Sequence, residues 1–167
     1  MARILDRNDF RRIFEGGRLP VIRQAEAAEC GLACLVMAAN YFGHGTSMSE
    51  MRRRFSTSLK GTTLNTLMEM GHSVGLSSRA VRLELHEIGQ LKTPAILHWD
   101  LNHYVVLKGV GRRSIVIHDP GLGERAFSFE SASRHFTGVA LELTPTPAFQ
   151  KRQIADRVEI GDLFRHV

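Results

Sequence analysis

The hydrophobic period of this sequence changes partway along the chain, and that change restricts the fold more than any other feature. Up to Gly71 the apolar residues recur at helical spacing; from Ser77 onward they alternate as strands do. Residues 29–42 predict a helix. Ala, Leu, Val and Met dominate there, and Leu32, Leu35, Val36 and Ala39 with Tyr41 and Phe42 give it a wide apolar face. Gly43-His44-Gly45 supplies the glycine that ends such a helix. Ser47-Met48-Ser49-Glu50 is a capping pattern and opens a second helix over 47–55. A third begins at Thr62 or Thr63, runs through Leu64, Leu67 and Met68, and closes at Gly71.

The second half reads as strands over 77–83, 95–99, 103–108, 114–118, 125–129 and 138–143, with a short helical turn at 86–88. Gly109-Val110-Gly111 and Asp119-Pro120-Gly121-Leu122-Gly123 are the turns between them, and Thr144-Pro145-Thr146-Pro147 ends the series. Helices first and an antiparallel sheet afterwards make an α+β domain. The chain divides into an N-terminal extension (1–19) with one short helix, a globular part (20–144), and a linker with an amphipathic segment (145–167). Val158, Ile160, Leu163 and Phe164 are the apolar residues of that last segment.

Composition removes several classes of function. No apolar run approaches the ~20 residues that a membrane-spanning helix needs. The Arg- and Asp-rich start lacks the apolar core of a secretory signal, and two cysteines without such a signal suit free thiols in the cytosol. The formal charge of +5 is spread over scattered pairs and one run, Arg52-Arg53-Arg54, with no nucleic-acid-binding motif beside it. It fits an anionic membrane surface or an acidic peptide better than a nucleic acid.

Cysteine is a nucleophile as the thiolate, and a helix N-terminus favours that form through its partial positive charge and free N–H groups. Cys30 stands at such a start, whereas Cys34, one turn on, falls inside the apolar helix as a core residue. The two thiols have no clustered third ligand and make a poor metal site, so neither a metal nor a cofactor is expected. A thiol nucleophile also needs a histidine base and a group that orients it. His103 opens one strand and Asp119 ends the next, so a hairpin can bring the two together. His98 could line the cleft but reads better as packing, and His118 is a poor rival to His103; His44, His72, His86, His135 and His166 read as turn or surface residues. Glu15-Gly16-Gly17 reads as a plain turn.

The string Gln24-Ala25-Glu26-Ala27-Ala28-Glu29-Cys30-Gly31-Leu32-Ala33-Cys34-Leu35 resembles the signature of the C39 peptidases. His103-Tyr104-Val105-Val106-Leu107 resembles that family's histidine motif, and His118-Asp119-Pro120 its aspartate motif, with Gly121 in place of the commoner Ala. The resemblance spans about residues 20–143 and is strongest to the colicin V type. It implies a papain-like fold and a cysteine endopeptidase that removes double-glycine leaders from bacteriocin-type precursors. Such domains sit on the cytosolic face of the bacterial membrane, joined to the transmembrane and nucleotide-binding domains of an ABC exporter. Catalysis would rest on Cys30, His103 and Asp119, with Gln24 as the oxyanion-hole side chain. The leader would be held near Leu64, Leu67 and Met68, a groove that core packing explains equally well, and near Trp99, Leu101 and Asn102. The alternatives are a C39-like domain that only docks a leader, against which Cys30 and His103 both argue, and a stand-alone papain-like hydrolase.

Overall fold

A computed structural model of the chain describes residues 18–55 and 61–153. A 3-10 turn at Ala27–Glu29 leads into α1 (Cys30–Tyr41), followed by α2 (Met48–Arg54) and α3 (Leu64–Ser73). Six strands follow: β1 (Leu76–Arg82), β2 (Ala95–Trp99), β3 (His103–Val110), β4 (Ser114–Asp119), β5 (Gly123–Ser128) and β6 (Phe136–Pro145). A one-turn helix, α4 (Phe129–Ala132), separates β5 from β6. The strands form one antiparallel sheet in the order β1-β6-β2-β3-β4-β5. This is the α+β arrangement that the change of period predicts.

Strand alternation places one face of the sheet against the helices and the other against a second apolar layer. On the first face Ile96, Tyr104, Val106 and Leu141 pack with α1, whose residues Leu32 to Ala39 are all buried. On the second, Leu97, Val105, Leu107, Ile115 and Ile117 pack with Ile88 and Ala132. A helix covered on every side explains why α1 is apolar almost all round.

Several boundaries differ from those the sequence suggests. Helix α3 runs through Gly71 to Ser73, and the left-handed glycine that follows it is Gly75 (φ +83°). Gly109 and Val110 lie inside β3, across from Val116 and Ile115, after a bulge in which Lys108 is the extra residue; the turn falls at Gly111 to Arg113. Phe129 starts α4 rather than ending a strand, because the Ser128 hydroxyl accepts from the Ser131 N–H. β6 continues to Pro145, which lies across from Leu76 at the strand's end, where the missing N–H matters least. Ser47 does cap α2 through the Glu50 N–H, but the Glu50 carboxylate accepts from Thr46 and Arg152 instead of completing a capping box.

The globular part also exceeds 20–144 at both ends. Leu19 is buried in the helical core, and Phe149 packs against the same core while Arg152 bridges to His44. His44 is accordingly buried, with Nδ1 on the Gln150 carbonyl, and is not a surface residue. His135 is half-buried against Trp99. Most of the N-terminal extension, the Gly16-Gly17 pair, the amphipathic segment after 153 and His166 lie outside the described residues.

Candidate active site

Cys30 is the first residue of α1, buried and directed at the seam between the helix and the sheet. Glu29, just before it, is held by Arg52 through both carboxylate oxygens (2.5 and 2.9 Å) and accepts the Ala25 N–H at 2.9 Å. Arg52 first, and the Ala25 and Glu26 N–H groups after it, hold the Glu29 carboxyl down at about 2 against the opposing effect of burial. A carboxylate next to a thiol would repel the thiolate; bidentate pairing with an arginine offsets that charge. Gly31 lets neighbours close in, since a Cβ there would lie 3.3 Å from the Thr62 Cβ and 3.4 Å from Tyr104 Cδ2.

His103 faces Cys30 from the start of β3. Its Nε2 lies 3.0 Å from Asp119 Oδ1, and that oxygen also accepts the Gly121 N–H at 2.8 Å, which fixes the carboxylate. With Nε2 turned to Asp119, the other ring nitrogen is left for the thiol. The hydrogen bond with Cys30 is the main cause that raises His103 to about 9, Asp119 adds to it, and burial opposes both. Cys34 is fully buried and its thiol is pushed well up, by burial first and then by Cys30 and Asp119. Gln24 comes in on the segment before the helix, where its N–H donates to the Pro120 carbonyl at 3.0 Å. Its side-chain Oε1 is buried without a partner among the described residues.

Beside Cys30 opens a cavity of about 440 Å³. Ala27 and Ala28 form one wall, Thr62 and Thr63 another, and Leu101, Asn102, His98 and Tyr104 the third. Of the residues suggested for substrate, Leu101 and Asn102 line this cavity. Leu67 does not: it is completely buried in the helical core, with Leu64 and Met68 partly buried against that core. Trp99 does not either, for it is 2% exposed and on the other face of the sheet, stacked on His135 at 5.3 Å. Neighbours on a strand point to opposite faces, so His98, its predecessor, is the one that lines the cavity. His98 bonds Thr137 Oγ1 at 2.8 Å and packs on Tyr104, so of its two readings, cleft lining and packing, it meets both. Ala27, Ala28 and Tyr104 carry no chemical signal in the sequence beyond their place inside the motifs, and Thr62 carries none beyond its place at a helix start. Thr62 Oγ1, on the cavity wall, is buried without a partner among the described residues.

The tip of the β2–β3 hairpin is strained. Asp100 and Leu101 both take positive φ (50° and 64°), a conformation costly for leucine. His135 holds Asp100 by its carbonyl (2.9 Å) and by its ring (2.7 Å), and Leu101 is left 81% exposed over the cavity. Among the described residues no group of three or more His, Cys, Asp or Glu is placed to hold a metal ion.

Comparison with known proteins adds a family. Residues 18–148 match the model of the Peptidase C39 family. The chain is 45% identical over 150 residues to the colicin V secretion/processing ATP-binding protein CvaB of Escherichia coli, covering 90% of this chain and 22% of that protein. It is 29% identical to the transport/processing ATP-binding protein ComA of Streptococcus pneumoniae, over 76% of this chain and 19% of that protein. It thus spans about a fifth of the length of these relatives. Among solved structures, a double glycine motif protease from an AMS/PCAT transporter in complex with its leader peptide aligns with a TM-score of 0.74 and 32% identity, covering 78% of this chain and 94% of that one. The peptidase domain of Streptococcus ComA aligns with a TM-score of 0.70 and 26% identity, covering 77% and 100%.

Proposed function

Because the chain belongs to the peptidase C39 family and is a cysteine peptidase, we propose that it removes the leader of a precursor peptide by cutting after a Gly-Gly pair. The observation that carries this reading is the cavity lined by Cys30, Ala27, Ala28 and Tyr104, together with the hydrogen bonds that join His103 to the Cys30 thiol and to Asp119. In this reading Cys30 Sγ attacks the carbonyl carbon of the second glycine. The oxygen of the tetrahedral intermediate is held by the Gln24 amide and the Cys30 N–H. His103 gives its proton to the departing amine as the C–N bond breaks. It then takes a proton from the water that opens the thioester, which restores the thiol. Asp119 holds the His103 ring in position throughout. These groups and water suffice, so we assign the reaction no cofactor.

The relatives' names speak of secretion and ATP binding, which supports a place for this chain as the peptidase part of an ABC exporter. Its partners are then the leader peptide and the exporter's transmembrane and nucleotide-binding domains, at the cytosolic face of the bacterial inner membrane. Incubation with a synthetic Gly-Gly leader peptide, with products read by mass, tests the reading; cleavage elsewhere, or none, refutes it. Gln24→Ala should lower kcat by about 10²–10³ with little change in KM, the effect of losing one donor to a transition-state charge. It should leave alkylation of Cys30 unchanged, because no oxyanion forms there.

The pH profile gives a second check. His103 keeps its proton up to about 9, so cleavage should fall as pH rises through that value and the leaving amine loses its proton donor. Asp119 raises His103, so Asp119→Ala should move this alkaline limb to lower pH. Identical limbs in the two proteins would remove Asp119 from the orienting role and leave Asn102 as the substitute.

A further inference from the structure

The arm that brings Gln24 to the site is tied down by a residue the mechanism above does not use. We propose that His118 is a positioning residue for the oxyanion side, holding the 20–24 arm to the end of β4. His118 is 1% exposed, and its two ring nitrogens are both occupied. Nδ1 lies 2.9 Å from the Pro20 carbonyl, and Nε2 lies 2.9 Å from Glu124 Oε2. Glu124 is in turn held by Lys108 from β3. Both partners of the ring are acceptors, so it makes the two bonds together only when each nitrogen carries a proton.

The consequence lies in where the two ends of the arm are fastened. Pro20 is bound to the side chain of residue 118, and the Gln24 N–H to the carbonyl of residue 120. The two fastenings flank Asp119. One strand end therefore carries the group that orients His103 and both polar anchors of the arm that carries the oxyanion donor. Between them Ile22 rests on the helical core, which sets the depth of the arm, while the polar bonds set its position along the strand. An oxyanion donor acts only within a few tenths of an ångström of its distance, so an arm freed at one end would lose transition-state contact before it lost substrate.

This inference rests on the oxyanion reading of Gln24, and a pair of substitutions with a double-mutant cycle tests it. The amide of His118→Asn can stand where Nδ1 stands and keep the Pro20 bond; that of His118→Gln reaches the Nε2 position and keeps Glu124 but loses Pro20. His118→Gln should lower kcat about tenfold with KM and Cys30 alkylation little changed, while His118→Asn should stay within about threefold of wild type. In a Gln24→Ala background His118→Gln should lower kcat no further, since its effect passes through Gln24. Thermal unfolding of each variant shows how much is fold alone. Multiplying losses in the cycle, or equal losses in the two His118 variants, overturn the proposal while the Gln24 reading stands. Full kcat in Gln24→Ala overturns both. If His118→Gln does not fold, a tenfold loss of kcat in His118→Asn still refutes the role.

Discussion

Cys30→Ala will abolish leader cleavage, lowering kcat by about 10⁴-fold or more, while Cys34→Ala will keep turnover within about twofold and cost roughly 1 kcal/mol of stability. The two thiols lie one turn apart on α1, so sequence distance does not separate them; their surroundings do. Cys30 heads the helix with His103 hydrogen-bonded to it and the cavity in front. Cys34 is enclosed by core side chains, and burial holds it as the neutral thiol. In the proposed mechanism, removing the Cys30 sulfur removes the atom that would form the thioester, and no neighbour replaces it. Removing the Cys34 sulfur leaves a small void in a packed layer. Limiting iodoacetamide followed by peptide mapping reads the same difference in the unmodified protein. Faster labelling of Cys34 than of Cys30 would reverse the assignment.

The second large effect lies in the substrate. Replacing either glycine of the proposed leader pair by valine should lower kcat/KM by about 10²-fold or more. The walls beside Cys30 are made close by small residues: Ala27 and Ala28 on one side, and on the other Tyr104, which approaches the helix because Gly31 has no side chain. A branched Cβ at the cut would have to displace helix backbone or a buried tyrosine, and the scissile carbonyl would leave its line of attack. Leu101 cannot easily yield, since the hairpin that carries it is pinned at Asp100 by two contacts to His135. Comparable rates for Gly-Gly and Gly-Val peptides would sink this account of selectivity.

The helices and the candidates Cys30, His103 and Asp119 were legible because each rests on a local rule. Cys30 heads an apolar helix, Ser47 and Thr63 stand as caps, and His103 and Asp119 bound consecutive strands. The cavity walls were not, because they depend on which strand face meets which layer. Alternation says that His98 and Trp99 part company, but not which of them looks toward α1. Leu64, Leu67 and Met68 share one helical stripe, and only the position of the sheet decides that Leu67 goes wholly inside. The meeting of His103 with Asp119 depends on a register in which Val106 faces His118 and a bulge falls before Gly109, and turn chemistry alone does not supply that register. The strain at Leu101 left no trace, since Asp-Leu-Asn reads as an ordinary turn.

The place of β6 in the sheet bears on how the domain comes into being as it is synthesised. Among the described residues the last strand lies second in the sheet, between β1 and β2, and β1 pairs with no other strand. The β2–β3–β4–β5 meander can form from near neighbours in sequence, but β1 must wait for residues 136–145 to emerge before its edge is covered. Until then β1 and β2 both present unpaired backbone, the state in which nascent sheets are most open to wrong pairing. The late strand also delivers Thr137 to His98 on the cavity wall. A peptidase assembled in this order gains its finished cleft only when its own chain has been made almost to the end of the sheet, so the youngest nascent chains carry the nucleophile before they carry the site.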